Sequence, residues 1–190
     1  MSSEADTEVR QALEPPVPIA ASGSTVDPGV DSVDLALLRL LAEDARWSRR
    51  RLAREVGMSA PAVGERIARL EASGVIRGYR AEIDWGALGL PMVVYLSVVC
   101  VQGRDQTEVV RALRALPEVQ DVQIVTGRMD LIVRLRLRDH AHLRETLFDH
   151  VWKIQGIERT ETLISLASMR LKDFAAGLID DLLSPGVRER

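Results

Sequence analysis

The sequence predicts an α+β chain in two parts, a winged helix-turn-helix followed by a ferredoxin-like split β-α-β-β-α-β sandwich. Two observations carry this. Apolar residues recur at helical spacing as far as Leu70, whereas from Met92 the period falls to two. Each N-terminal helical stretch is also opened by a serine, and the second and third are closed by a glycine.

In chain order, residues 1–31 hold Pro15, Pro16, Pro18 and Pro28 among small and acidic residues and read as a disordered tail. Val33, Leu37, Leu40 and Leu41 predict a first helix to about Ala45, capped by Ser32 with Asp34 in its first turn. Ser48 caps a second helix with Leu52, Ala53 and Val56 inward and Gly57 at its end. Ser59 caps a third, where Pro61 fits the first turn, Val63, Ile67 and Leu70 share a face and Gly74 closes the helix. Val75 to Asp84 reads as a wing or connecting strand, which completes a winged helix-turn-helix unit over residues 32–84, and the Gly- and Pro-rich stretch 85–91 as a hinge.

The second unit, residues 92–168, opens with a strand over Met92–Val101, followed by a helix with Val109, Ala112, Leu113 and Leu116 as its stripe and a strand over Val119–Thr126. Leu131, Val133, Leu135 and Leu137 alternate with Ile132, Arg134, Arg136 and Arg138 in a third strand. Leu143, Leu147, Val151 and Ile154 mark a second helix, and Ile157–Ala167 a fourth strand. Both helices cover one sheet face. The first strand is apolar on both sides, so its other face needs a partner, and a homodimer is expected. Residues 169–190 form a last helix, from about Met169 to Leu183, and a tail, with Phe174, Leu178 and Leu182 on one side of the helix.

The net charge of −3 is uneven. Between Arg46 and Arg80 nine arginines face three glutamates, a basic segment in an acidic chain. Such a segment suits a polyanion, because arginine–phosphate contacts release counterions. Taken alone, such a run is more often a solvated helix face. The lone Cys100 lies in an apolar run and supports neither a disulfide within one copy nor a Cys-based zinc site; it reads as a small buried hydrophobe. His140 and His142 are two apart and share no helical face, so solvated or N-terminal-turn histidines are expected, with no metal and no cofactor. With no long apolar run and no signal-peptide pattern, a cytoplasmic protein without membrane contact is expected.

The run Glu65-Arg66-Ile67-Ala68-Arg69-Leu70-Glu71-Ala72-Ser73-Gly74-Val75-Ile76-Arg77-Gly78-Tyr79 resembles the recognition helix and following segment of Lrp/AsnC (feast/famine) regulators. Asp34-Leu35-Ala36-Leu37-Leu38 and Leu52-Ala53-Arg54-Glu55-Val56-Gly57-Met58-Ser59 are similar to that family's first helix and turn. Thr126-Gly127-Arg128-Met129-Asp130 falls at its Gly-acidic-x-Asp loop, with Arg128 in place of the acidic residue. The resemblance spans about Asp31 to Met169. It implies a sequence-specific transcriptional regulator, not an enzyme, with a ligand-sensing domain of the RAM type. Its implied partners are double-stranded DNA, further copies of itself as dimers, tetramers or octamers, and an amino acid or related metabolite as effector.

On that basis Arg49, Arg50, Arg51 and Arg54 are assigned to the phosphate backbone. Base readout is assigned to Ser59, Glu65 and Arg66, with Arg69 sharing the face of Arg66 and able to bind guanine in the same way. Without the resemblance, the 126–130 loop reads as a plain hairpin turn. With it, the loop is an effector site: Asp130 for an ammonium, amides near Gly127 for a carboxylate, Thr126 within the loop, and Ile124, Met129 and Leu163 as an apolar wall. Arg128 suits a second carboxylate. Two other readings share this architecture, a tetrapyrrole decarboxylase and an effector-independent chromosome-organising protein. The basic segment is superfluous for the first, and the second binds many sequences with a modest specificity ratio.

Overall fold

The computed structural model describes residues 29–103, 105–169 and 174–183, which fall into two compact units, residues 29–79 with 174–183 and residues 80–169. The expected tail lies outside the described residues, apart from its last three positions.

In the first unit, helix α1 spans Ser32–Glu43, α2 Arg49–Glu55 and α3 Ala60–Ala72. Ser48 and Ser59 cap α2 and α3 as expected, each accepting a backbone N–H in the first turn. The cap of α1 is Asp31, not Ser32. Its carboxylate accepts from the Asp34 N–H at 2.8 Å while that of Asp34 accepts from the Asp31 N–H at 3.1 Å, a reciprocal box that a serine one residue later could not close. Gly57, at φ +67°, turns the chain between α2 and α3 where a side chain would be strained. Leu37, Leu52, Val63 and Ile67 form the buried core, with Trp47, Val56 and Met58 against it.

Residues 75–84 belong to no strand, which corrects the wing. Val75, Tyr79 and Ile83 there are exposed. In the last helix, α6 (Phe174–Leu183), the Phe174, Leu178 and Leu182 stripe is likewise exposed, while Ala175, Ala176 and Ile179 are half-buried.

The second unit holds β1 (Met92–Cys100), α4 (Gln106–Arg114), β2 (Val119–Ile124), β3 (Leu131–Leu137), α5 (His140–Glu145) and β4 (Ile157–Ile164). The sheet is antiparallel in the order β2-β3-β1-β4, the split sandwich the periodicity predicts. Strand β4 ends at Ile164, three residues before the expected Ala167. Val94, Leu96 and Val98 of β1 and Leu131, Val133 and Leu135 of β3 point into one core with Val109 and Leu113 of α4.

The chain after α5 passes through a π turn (Thr146–His150) and a 3-10 turn (Val151–Lys153), which the periodicity did not anticipate. Leu143, Leu147 and Val151 are all buried at steps of four residues. An α-helix overshoots such steps by about 40° each; the wider π turn brings them back onto the core.

Candidate functional site

Helix α2 carries the densest positive charge. Arg49, Arg50, Arg51 and Arg54 are all exposed, and none of the four has a carboxylate within ion-pair distance among the described residues. Two are nonetheless positioned. Arg51 lies over the Trp47 ring, 3.6 Å from its centroid. Arg49 crosses α3 at Gly64, where an added Cβ would meet its guanidinium at 3.5 Å. Arg50 and Arg54, one helical turn apart, are exposed.

On α3, Val63, Ile67 and Leu70 are buried, leaving Pro61, Glu65, Ala68 and Ala72 on the outer face with Ser59 at its start. Arg66 and Arg69 flank that face, and both reach carboxylates at the start of α1. Arg66 Nη1 donates to Asp31 Oδ2 at 2.6 Å and Asp34 Oδ1 at 2.9 Å, and Arg69 Nη2 to Asp34 Oδ2 at 2.5 Å. Asp34 is fully buried. A buried carboxylate needs such partners, so these arginines join α3 to the start of α1.

The backbone bond from Asp34, then the Arg66 guanidinium, hold the Asp31 carboxyl below the usual range, and Asp31 and Asp34 raise Arg66 further. Tyr79 Oη donates to Glu71 Oε1 at 2.9 Å; burial first, then Glu71, pushes its phenol up. Arg77 and Arg80, which sequence reasoning left without a role, are exposed beyond α3.

In the second unit, the 126–130 loop connects β2 to β3 at one end of the sheet. Gly127 has φ +125°, open only to glycine without strain. Thr126, Gly127 and Arg128 are exposed and Met129 and Asp130 half-buried. The amides of Gly127, Arg128 and Met129 make no backbone hydrogen bond among the described residues. Asp130 is tied in three ways: its N–H donates to Val98 O at 2.9 Å, its carbonyl accepts from the Val125 N–H at 2.9 Å, and Oδ2 accepts from the Cys100 N–H at 2.7 Å. One carboxylate oxygen therefore latches the end of β1. Cys100 is buried, and desolvation followed by the Asp130 charge raises its thiol.

Ile124 is half exposed beside this loop, but Leu163 is not part of the same site. Ile124 pairs with inward-facing Leu131, whereas Leu163 pairs with outward-facing Tyr95 on the far strand β4. Three strand spacings, about 14 Å, and the sheet itself separate them in one copy.

The open sheet face carries Val93, Tyr95 and Val99 of β1, Ile132 and Arg134 of β3, and Glu161 and Leu163 of β4. Arg134 Nε is buried without a hydrogen-bond partner among the described residues. His142, expected in an N-terminal turn, is there but buried: its Nδ1 accepts from the Arg138 N–H at 3.3 Å and its Nε2 meets Glu118 Oε1 at 3.1 Å. Among the described residues no group of three His, Cys, Asp or Glu could hold a metal, and no helix is long and apolar enough to cross a membrane.

Comparison with known proteins matches these two regions separately. Residues 30–71 match the AsnC-type helix-turn-helix domain and residues 93–173 the Lrp/AsnC ligand binding domain. The leucine-responsive regulatory protein of Haemophilus influenzae is 30% identical over 147 residues, covering 76% of this chain and 89% of that one. An uncharacterised HTH-type transcriptional regulator of Pyrococcus abyssi is 35% identical over 135 residues, covering 71% and 85%.

Among solved structures, Escherichia coli AsnC superposes with TM-score 0.71 at 25% identity, covering 76% of this chain and 98% of AsnC. A Neisseria meningitidis transcriptional regulator in complex with L-Met gives TM-score 0.71 at 21% identity, covering 75% and 93%. With both domains in order and relatives matched over most of their length, the chain belongs to the Lrp/AsnC family of transcriptional regulators.

Proposed function

We propose that this chain is a cytoplasmic, non-enzymatic regulator that binds DNA as a homodimer and responds to an amino acid or related metabolite. The observation that carries the DNA reading is the exposed arginine set on α2, without a carboxylate partner among the described residues, beside the outer face of α3. Arg50 and Arg54, with Arg49 laid across α3, contact phosphates, and Ser59 and Glu65 read bases from the outer face. Arg66 and Arg69 hold the helix that reads.

The apolar centre of the open sheet face, flanked by charges of both signs, suits a two-fold interface. A second copy would also offer an acceptor to the orphaned Arg134 Nε. The effector reading rests on the 126–130 loop, with free amides for a carboxylate and the second oxygen of Asp130 for an ammonium. The L-Met complex of the Neisseria relative supports an amino acid as ligand.

Footprinting on the chain's own upstream DNA tests the reading. Two protected half-sites in inverted repeat, about 10 bp apart or a multiple of that, are expected. Full-affinity binding to one asymmetric half-site, or none to any upstream fragment, overturns it.

A further inference from the structure

Away from the 126–130 loop, a second cavity of about 350 Å³ opens at the other end of the β2–β3 hairpin. That volume lies within the range of small-molecule sites. One wall is apolar, made by Trp85, Leu90 and Pro117. The 85–90 turn that supplies two of these is fixed by its own hydrogen bond, Leu90 N–H to Trp85 O at 2.8 Å.

Arg136 and Arg138 also line the cavity. Neither guanidinium has a carboxylate within ion-pair distance among the described residues. Arg136 Nε donates only to the Gln120 carboxamide, at 3.2 Å. The single carboxylate lining the cavity, Glu118, is turned to His142. Because His142 Nδ1 accepts a backbone N–H, the ring proton sits on Nε2 and is donated to Glu118 Oε1. Two cations therefore face the cavity against one carboxylate, whose Oε1 already receives the His142 ring, so the local charge favours an anion and disfavours an ammonium group.

We propose that this cavity is a second ligand site, for a small carboxylate with an aromatic or branched apolar body and no ammonium group. Arg136 and Arg138 take the carboxylate, and Trp85, Leu90 and Pro117 enclose the body. The demand differs from that of the 126–130 loop, where Asp130 offers an ammonium partner, and the site stands whether or not that loop binds an amino acid.

The test uses the full-length chain carrying Trp47→Phe and Trp152→Phe, which leaves Trp85 as the only tryptophan of three. Titration with 3-phenylpropanoate and with 4-methylpentanoate should change Trp85 emission saturably. L-phenylalanine should bind about tenfold more weakly or not at all, and 2-phenylethylamine should have no effect. Arg136→Gln and Arg138→Gln should each weaken the carboxylates about tenfold, whereas Asp130→Asn should leave them unchanged. Calorimetry on the unsubstituted chain should give the same order of affinities. The proposal is overturned if neither carboxylate binds at millimolar concentration, or if L-phenylalanine binds as tightly. It is equally overturned if Arg136→Gln and Arg138→Gln both bind unchanged, or if Asp130→Asn abolishes binding.

Discussion

Replacing Asp34 by alanine removes the carboxylate on which α1 and α3 converge. Asp34 is fully buried and accepts three hydrogen bonds, from Arg66, Arg69 and the Asp31 N–H. Removing one partner of a fully buried ion pair costs about 3–5 kcal/mol, because the other charge is stranded. Here Arg66 and Arg69 keep 24% and 52% of their side-chain surface, so both can rehydrate in part, and Arg66 retains Asp31. The loss should therefore fall below that range, at about 2–3 kcal/mol. Asp34→Asn, which keeps one acceptor but not the charge, should lose about half as much.

Urea unfolding followed by Trp47 emission, with Trp85 and Trp152 replaced by phenylalanine, reports on the first unit. The midpoint should fall while the slope holds. A double-mutant cycle with Arg66→Ala should give a coupling of about 1 kcal/mol or more. Arg66→Ala should also weaken binding equally on cognate and random DNA, since its side chain supports the reading helix from behind. An Asp34→Ala change within about 0.5 kcal/mol of the parent, or an Arg66→Ala loss confined to the cognate site, refutes the reasoning.

Arg50→Ala and Arg54→Ala should leave stability unchanged, weaken binding to every sequence and each reduce the salt slope by about 0.9, as gel shifts across a salt series would measure. Asp130→Asn retains an acceptor for the Cys100 N–H but loses the charge, so the fold and DNA binding should survive while ligand-dependent changes in assembly, followed by light scattering, disappear; an unchanged response counts against the loop. Acid should destabilise the first unit. Asp31 is held below its ordinary pKa of 3.8, so its contribution is fully present above about pH 5 and lost as pH falls through and below 3.8. Asp31→Asn should flatten that fall in a pH series of urea midpoints.

The features legible in the sequence are those set by near neighbours. The Ser48 and Ser59 caps, the Gly57 turn and the alternation along β3 each depend on residues within one or two turns, and each stands where the local pattern places it. What the sequence concealed depends on partners far along the chain. Leu163 leaves the loop site because β4 pairs with β1, a fact of sheet order and not of its own alternation. His142 is buried because Glu118, 24 residues earlier, receives its ring.

Arg66 and Arg69 are the most instructive case, because a helical face says which side chains neighbour one another but not which way a long cation turns. One signal was present. Asp34 stands three residues before Leu37 and seven before Leu41, on the apolar stripe of α1. A carboxylate inside an apolar stripe requires buried donors, and the arginines flanking the inward stripe of α3 are the cations placed to supply them. The inward carboxylate thus divides the basic segment in two, drawing the α3 arginines into the fold and leaving those of α2 exposed.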